Sequence, residues 1–343
     1  VVTRSGSNEF HGDAGFYFSS DVLQARPRPT VRLNPENDDL MDVFQNSRDG
    51  FRLLNPGFAL GGPVIKNKIW FFTGWYPEFR DYQRTVTFTN GTKGTFNRAD
   101  RNDFLNAKID VAPWSKLRTY VGYTYSPERQ NGILPVRGGT DDPNNPWSQL
   151  GHRRPSASYT FGGDFLATSR LVFSARGGYN YVNYKDYGVP RQTAVYYSSS
   201  NRTVPDVPAQ WLGAAGWVTQ ANAFTERDIQ TRFRTNADVS YIASFWGQHT
   251  LKGGWEINRL HNDPNSNTYP DGYLRYYWNG TYTALNGQKY KGKYGYLRYR
   301  TYQLTGDVSS TNQSLFLQDA WQIRRGLTLL LGLRTEREFV PSF

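Results

Sequence analysis

The stretch SLFLQDAWQIRRGLTLLLGLRTERE, residues 314–338, reads as two strands joined by a short turn at Arg324, Arg325 and Gly326. One face of the second strand carries Leu327, Leu329, Leu331 and Leu333. The other face carries Thr328, Leu330, Gly332, Arg334 and Glu336. Alternation with period two, apolar on one side and mostly polar on the other, predicts a half-buried strand. A soluble sandwich would turn the leucines inward, whereas a membrane barrel would turn them outward to lipid.

The composition narrows the class of protein. The chain has 343 residues, of which 38% are hydrophobic, 16% aromatic and 20% charged. It is too aromatic for a disordered chain and too polar for a helical membrane protein, and it contains no run of about 18 apolar residues. Cysteine is absent, which excludes disulfide scaffolds and thiolate metal sites.

The net charge of +11 raises the question of nucleic acid. The lysines and arginines are scattered through strands and loops and form no dense block, so we expect no nucleic-acid partner. An anionic lipid surface or an anionic substrate would suit this charge equally well.

The same alternation recurs along the chain and predicts about eleven strands. Their connections alternate between turns of a few residues, such as 66–68 and 113–115, and long polar loops. We place these loops at 19–55, 84–101, 128–154, 186–229 and 261–310. A tilted strand of about 9–11 residues crosses a bilayer, and short turns on one side with long loops on the other are typical of outer-membrane barrels. Unstructured loops this long are uncommon in compact soluble domains.

Aromatic side chains cluster at the strand ends, where barrels carry girdles at the membrane interfaces. These are Trp75, Tyr76, Trp114, Tyr125, Tyr181, Trp246 and Trp321. Aromatic residues favour any strand, so their position at the ends is the informative part.

Eleven strands with open edges would leave unpaired backbone groups in lipid, which is not tolerated. The chain opens in mid-strand and stops just after a strand, so we interpret it as a segment of something longer. Either the rest of the barrel lies outside this chain or another chain closes it.

Three segments resemble the TonB-dependent outer-membrane transporters, and most closely the large Oar-like receptors with an N-terminal carboxypeptidase-regulatory-like domain. They are VVTRSGSNEFHG at 1–12, FALGGPVIKNKIWFFTGWYPEFR at 58–80, and SLFLQDAWQIRRGLTLLLGLRTERE at 314–338. In that family the first joins the end of the plug to the first barrel strand. The second is the hairpin of strands two and three, and the third is a hairpin near mid-barrel.

The resemblance implies an all-β fold, a transmembrane antiparallel β-barrel of 22 strands with long extracellular loops, of which this chain supplies about half. Residues 1–8 would be the C-terminal end of the plug domain, and residues 9–343 the N-terminal half of the barrel. The implied partners are outer-membrane lipid, the protein's own plug and remaining barrel half, the TonB–ExbB–ExbD motor, and an unknown small or oligomeric substrate. The implied location is the outer membrane of a Gram-negative bacterium.

Catalytic chemistry has no support in the sequence. His11, His152, His249 and His261 lack a second histidine or carboxylate at metal-binding spacing, and no nucleophile elbow or phosphate-binding loop is present. We expect His152 and His261 to lie in loops. The stretch Asp263–Asp271 faintly resembles a calcium loop, although an Asx-rich turn explains it as well. We therefore expect a protein that is not an enzyme, with no cofactor and no metal.

Ten charged residues on the polar faces are expected to line the lumen and hold the plug, since a wide barrel has a wet interior. They are Lys108, Asp110, Arg118, Asp164, Arg176, Asp238, Lys252, Glu256, Arg334 and Glu336.

Substrate capture is expected in the external loop 261–310, where aromatic rings offer flat, rigid contact area with a polar tip. The candidates are Tyr273, Tyr276, Tyr277, Trp278, Tyr282, Tyr290, Tyr294 and Tyr296. Packing of the loops against each other would explain these rings equally well.

The resemblance thus implies import of a bulky nutrient of the siderophore, oligosaccharide or peptide class. Two alternatives remain open: an outer-membrane structural or adhesion barrel that does not transport, and a soluble carbohydrate-binding β-protein. The direction of the leucines at 327–333 separates the soluble protein from the membrane barrels.

Overall fold

The computed structural model describes residues 4–34, 37–45, 47–197, 204, 206, 207, 216–219 and 223–341, and nearly all of its regular structure is antiparallel sheet. Residues 1–3 of the predicted plug segment and parts of the predicted loops 19–55 and 186–229 lie outside the described residues. Among the described residues no helix is long and apolar enough to cross a membrane.

The strands are numbered in chain order. The first eleven are β1 (His11–Ser20), β2 (Thr30–Asn34), β3 (Asn37–Phe44), β4 (Gly50–Ile65), β5 (Ile69–Trp75), β6 (Glu78–Thr87), β7 (Lys93–Asn102), β8 (Leu105–Trp114), β9 (Leu117–Tyr125), β10 (Glu128–Asn131) and β11 (Gly151–Arg154). The others are β12 (Ser156–Leu166), β13 (Leu171–Tyr187), β14 (Ala194–Tyr197), β15 (Gly216–Thr219), β16 (Ala223–Ser244), β17 (Gln248–Trp278), β18 (Tyr282–Thr283), β19 (Lys289–Tyr290), β20 (Gly295–Thr305), β21 (Val308–Arg324) and β22 (Leu327–Phe339). A 3-10 turn, Asp21–Leu23, follows β1.

Eleven long runs build the main sheet, because several neighbouring strands continue each other across a break of one or two residues. The runs are β1, β4, β5–β6, β7–β8, β9–β10, β11–β12, β13, β16, β17, β20–β21 and β22. Each run pairs antiparallel with the next one along the chain. This consecutive pairing confirms the predicted all-β antiparallel fold of about eleven strands.

The register gathers the apolar side chains on one face of the sheet. One row runs from Ile109 through Val121 and Phe161 to Gly177, and another from Phe173 through Val239 to Gly253 and Leu317. The leucines at 327–333 lie on this face, and Leu329, Leu331 and Leu333 are 40%, 56% and 77% exposed. These leucines are not packed in a core, so the soluble sandwich is wrong.

The predicted long loops are largely wrong as irregular segments. Residues 84–101 form the hairpin β6–β7, the loop 261–310 is mostly the strands β17, β20 and β21, and 19–55 contains β2, β3 and the start of β4. The strands extend past the apolar band, where both faces are polar or aromatic. The hydrophobic alternation fades there, although the backbone ladder continues.

A small core lies at the end of the sheet with the long connections. Val86, Phe88, Trp147 and Leu150 are all at most 5% exposed. Residues 132–150 fold over the hairpin β6–β7, with backbone hydrogen bonds such as Thr89 N–H to Gly139 O. This segment is a packed cap on one hairpin.

Asp49 ties the cap to the chain before β4. Its carboxylate accepts from Arg84 at 2.7 Å and from Arg137 at 3.2 Å, and its side chain is only 16% exposed. The hydrogen bond from Arg84 is the largest influence and holds the pKa of Asp49 below its usual value, against the opposing effect of burial.

Substitution on the two faces of β21 should separate the lipid-facing side from the polar side. Leu317 lies on the apolar face and Gln318, the next residue, on the opposite face. Leu317→Arg in the full-length protein should lower the free energy of unfolding in a bilayer by about 2–4 kcal/mol, whereas Gln318→Arg should lower it much less. Urea unfolding in lipid vesicles measures both. Equal losses would contradict the orientation.

The cap should loosen in acid. A carboxylate with a lowered folded pKa stabilises fully above its unfolded value near about 4, and this contribution is lost as pH falls through the folded value. Hydrogen exchange of residues 132–150, corrected for the chemical rate, should therefore accelerate below about pH 4. Asp49→Asn should show the faster exchange at neutral pH.

The matched control is Asp81→Asn. Asp81 also pairs with an arginine, Arg52, but that pair is 50–67% exposed. An exposed pair contributes little, so its loss should leave exchange in the cap unchanged. Protection of residues 132–150 that does not change with pH would contradict the role of Asp49.

Candidate functional site

The polar face of the sheet carries all ten of the predicted charged residues. The register places them opposite to the leucine side: Lys108, Asp110, Arg118, Asp164, Arg176, Asp238, Lys252, Glu256, Arg334 and Glu336. That they line a lumen or hold a plug stays a prediction.

Ion pairs connect most of these side chains. The pairs are Lys108–Asp110 at 3.0 Å, Arg176–Asp164 at 2.9 Å, Lys252–Asp238 at 3.3 Å and Arg334–Glu336 at 2.5 Å. Glu256 is paired with Arg234 at 2.9 Å, a partner that the sequence reading missed. Asp238 is only 8% exposed, so Lys252 offsets the cost of burying its charge.

Two of these pairs join residues two positions apart in one strand, namely Lys108–Asp110 in β8 and Arg334–Glu336 in β22. Arg98 and Asp100 in β7 form a third pair of this kind, at 2.7 Å. Residues at this spacing point to the same side of a strand, so each pair is completed without a neighbouring strand.

The segment before β1 lies on the same polar face, beside the short turn between β4 and β5. The Asn8 side-chain oxygen accepts from the Asn67 backbone N–H and from Trp70 Nε1, both at 2.8 Å. Lys108 Nζ donates to Ser5 Oγ at 2.7 Å. A Cβ on Gly6 would come within 2.3 Å of the Phe71 carbonyl oxygen, so only glycine allows this close approach.

A cavity of about 500 Å³ opens between this segment and the sheet. Asp110, Arg118, Tyr120 and Asp164 border it from the sheet. Three of these are predicted polar-face residues, which the fold brings together beside residues 5–8.

The eight predicted aromatic residues belong to a β-hairpin and not to an irregular loop. Its strands are the ends of β17 and β20, and the short strands β18 and β19 form its tip. The rings divide between two sides of this hairpin.

On one side, Tyr277 stacks on Tyr296 with ring centroids 4.4 Å apart, and Tyr282 packs on Tyr296 at 5.6 Å. Tyr273 belongs to this side, two positions before Arg275. On the other side Tyr276 and Trp278 pack together at 5.4 Å and contact Tyr197 of β14.

The last two predicted rings lie near the tip. Tyr290 faces Tyr282 across β18 and β19, and Lys293 Nζ lies 4.9 Å from the ring of Tyr294. No single site therefore contains all eight.

Sequence reading missed the arginines of this hairpin. Arg275 lies over the rings of Tyr196 and Tyr277 at 4.8 and 5.0 Å, and Arg298 lies over Tyr277 at 5.5 Å. Arg300 donates to the Tyr302 hydroxyl at 2.7 Å, a hydrogen bond that raises the pKa of this arginine. The signal was the alternation of tyrosine with arginine at 273–277 and 296–302, which is the period of a strand.

Within the described ranges, no group of three or more His, Asp or Glu side chains is arranged to hold a metal ion. His152 lies in β11 beside Glu128, and His261 lies in β17, so their assignment to loops was wrong. The suggested calcium turn is also wrong: Asp263 lies in β17 and accepts two hydrogen bonds from Arg227, each at 2.9 Å.

Known proteins share this architecture. The chain is 24% identical to the TonB-dependent transporter Oar of Myxococcus xanthus over 97% of its own length, but spans only 37% of that protein. The outer membrane transporter YddB from Escherichia coli matches 98% of the chain with a TM-score of 0.57 at 11% identity. The siderophore receptor PirA from Acinetobacter baumannii matches 98% with a TM-score of 0.51 at 13% identity. The chain covers 40% of each of these two structures.

The profile of the outer membrane beta barrel domain family matches residues 2–93 and 75–342, which is nearly the whole chain. The two-faced antiparallel sheet, with its leucines exposed and its charges gathered on the other side, agrees with that match. The chain belongs to the outer membrane β-barrel domain family, and its place is the bacterial outer membrane.

Proposed function

We propose that this chain forms the N-terminal half of the barrel of a TonB-dependent transporter. In this proposal residues 1–8 are the end of the plug, and residues 9–343 supply eleven of 22 strands. The observation that carries it is the placement of residues 5–8 on the polar face, where Asn8 and Ser5 make side-chain contacts with Asn67, Trp70 and Lys108. In a plugged barrel the chain passes from the plug, inside the lumen, to the first strand of the wall. Contacts between residues 5–8 and the polar face agree with such a path.

The two ends of the strand series support the need for further strands. β1 is hydrogen-bonded to β4 and β22 to β21, and each of the eleven runs pairs with the next one along the chain. Unpaired strand edges are not stable in lipid, so the remaining barrel half should join β1 and β22.

The charged wall supports a plug and a wet lumen. The paired carboxylates and arginines keep water on this face, and Arg118 together with Asp164 borders the cavity beside residues 5–8. We assign the ten polar-face residues to this wall and to plug docking.

The transported substrate would be a bulky nutrient of the siderophore, oligosaccharide or peptide class, moved by the TonB–ExbB–ExbD motor. The tyrosine-rich hairpin at 273–302 would make the first contact outside the cell. A barrel that serves adhesion without transport is the second candidate, because this exposed aromatic surface would suit adhesion too.

Measurements on the full-length protein distinguish a transporter from a structural or adhesive barrel. A transporter should bind the periplasmic domain of TonB, and in a planar bilayer it should conduct poorly until its plug is deleted. A structural or adhesive barrel should show no TonB binding. Failure of both TonB binding and plug-dependent conductance would overturn the proposal.

Docking of residues 5–8 can be tested through Asn8. Asn8→Ala in the full-length protein removes the acceptor for two N–H groups, worth about 1–2 kcal/mol. Hydrogen exchange at residues 4–9 should therefore accelerate about 5–30-fold.

Ser7→Ala is the matched control. The Ser7 hydroxyl makes only local contacts, donating to the Glu9 carbonyl, accepting from the Glu9 N–H and lying 3.4 Å from His11 Nδ1. Its loss should change exchange by less than about twofold at every amide of this segment except that of Glu9. Equal effects of the two substitutions would show that the contact between Asn8 and the wall does not hold the segment.

A further inference from the structure

The hairpin formed by β17 and β20 is strongly basic. Between Tyr273 and Arg300 the chain has six basic side chains and no Asp or Glu. They are Arg275, Lys289, Lys291, Lys293, Arg298 and Arg300. The same 28 residues contain eight tyrosines and one tryptophan, so cations and flat rings are interleaved.

The register brings two arginines face to face. Arg275 is directly opposite Arg298, between the pair Tyr273–Arg300 on one side and the pair Tyr277–Tyr296 on the other. Like charges directly opposite each other destabilise a sheet. The hairpin therefore holds a local repulsion that a bound anion would relieve.

The rings hold the guanidinium groups in place. The ring of Tyr277 lies 5.0 Å from the Arg275 guanidinium and 5.5 Å from that of Arg298. The Arg275 Nε is buried without a hydrogen-bond partner. In the part of the chain that the structure describes, no carboxylate lies within 4 Å of Arg275, Arg298 or Arg300.

Three other basic residues around this hairpin form ion pairs. Arg191 pairs with Asp271 at 3.0 Å, Arg227 with Asp263 at 2.9 Å, and Lys293 with Asp206 at 3.1 Å. Arg275, Arg298 and Arg300 differ from these three residues, because no ion pair with a described carboxylate neutralises them.

A register shift between β17 and β20 determines which side chains of β17 lie on this face. β17 takes five steps between Thr268 and Tyr273, where β20 takes two between Tyr302 and Arg300. Such bulges redirect side chains, and this one turns Tyr273, Arg275 and Tyr277 to the side of Arg298 and Arg300. The register from Asn265–Thr305 to Asn262–Val308 is unshifted, so this side continues into the polar face of the sheet.

We propose that the tyrosine–arginine face of this hairpin binds an anionic saccharide chain. Guanidinium groups bind carboxylate, sulfate or phosphate with two parallel hydrogen bonds, and the tyrosine rings offer flat surfaces for the apolar faces of sugar rings. Successive positions on the face are about 7 Å apart, which favours an extended ligand with repeated charges over a single small anion.

A pocket of about 530 Å³ continues the face toward the tip. Tyr282, Tyr290, Lys291, Tyr296 and Arg298 line it, so cations and rings alternate here as well. The pocket leaves room for one more unit of the saccharide beyond the pair Arg275–Arg298.

This inference rests on the proposed function, which places the hairpin outside the cell above the lumen. Two sources offer the same chemistry there: the anionic sugars of lipopolysaccharide in the same membrane, and a soluble acidic polysaccharide that arrives from outside.

The experiment uses the full-length protein in non-ionic detergent and measures binding by calorimetry. The probes are a galacturonate hexamer, a neutral galactose hexamer and purified lipopolysaccharide. We expect the uronate hexamer or the lipopolysaccharide to bind at least tenfold more tightly than the neutral hexamer, and binding to weaken with salt. Uronate binding identifies a soluble source, and binding of lipopolysaccharide alone identifies the membrane source.

The decisive variant is Arg275→Gln with Arg298→Gln, which should weaken binding at least tenfold. The matched control, Arg191→Gln with Arg227→Gln, removes the same charge from paired arginines and should stay within twofold. Since the first variant removes a repulsion, its unligated hairpin should be no less protected from hydrogen exchange than the original. This measurement separates lost recognition from lost folding.

Arg275→Lys with Arg298→Lys should retain charge but lose the bidentate geometry, and should bind with intermediate affinity. Equal affinity for neutral and acidic hexamers, no binding of any probe, or equal losses in the Gln variant and its control would overturn the inference. Failure of both TonB binding and plug-dependent conductance, with intact uronate binding, would instead refute transport and leave the inference standing.

Discussion

Every backbone N–H and C=O inside a bilayer must find its partner within the protein, and this constraint organises the chain. The antiparallel ladder satisfies it between the outer edges of β1 and β22, and the period of two that comes with the ladder sorts side chains onto two faces. Leucine, phenylalanine and valine occupy one face, and paired charges occupy the other. The segment at residues 5–8 lies on the polar face, and the tyrosine–arginine side of the β17–β20 hairpin continues it.

The halves of the strands near the short turns could be predicted from sequence, because one face of the sheet there meets lipid and the other meets water. Leu105, Ala107, Ile109 and Val111 face lipid while Lys108 and Asp110 face water, so hydrophobicity itself reports the register. The outer halves lack this contrast. At Arg275 and Tyr277 both faces meet water or other aromatic rings, and the sequence there looks like a loop although it forms a strand.

The contacts within the hairpin depend on a register shift, which cannot be predicted from the pattern of hydrophobic residues. Without the shift between Thr268 and Tyr273, Arg275 would not stand opposite Arg298, and its side would not match that of the polar wall. The tyrosines could therefore be named as ligand candidates from composition, but their division between two sides and the partnership with arginine required the structure. The cap of residues 132–150 was missed for a related reason, since its core of Val86, Phe88, Trp147 and Leu150 joins distant segments.

The pairing of charges within single strands has a consequence for assembly. Because Lys108 neutralises Asp110, Arg98 neutralises Asp100, and Arg334 neutralises Glu336, each of these strands carries its own counterion. A strand of this kind can join the growing edge of a sheet without presenting a bare charge while it waits for its next neighbour. These three strands can therefore be added to the wall without matching these charges to a neighbour, whereas Asp164 and Asp238 find their cationic partners on adjacent strands.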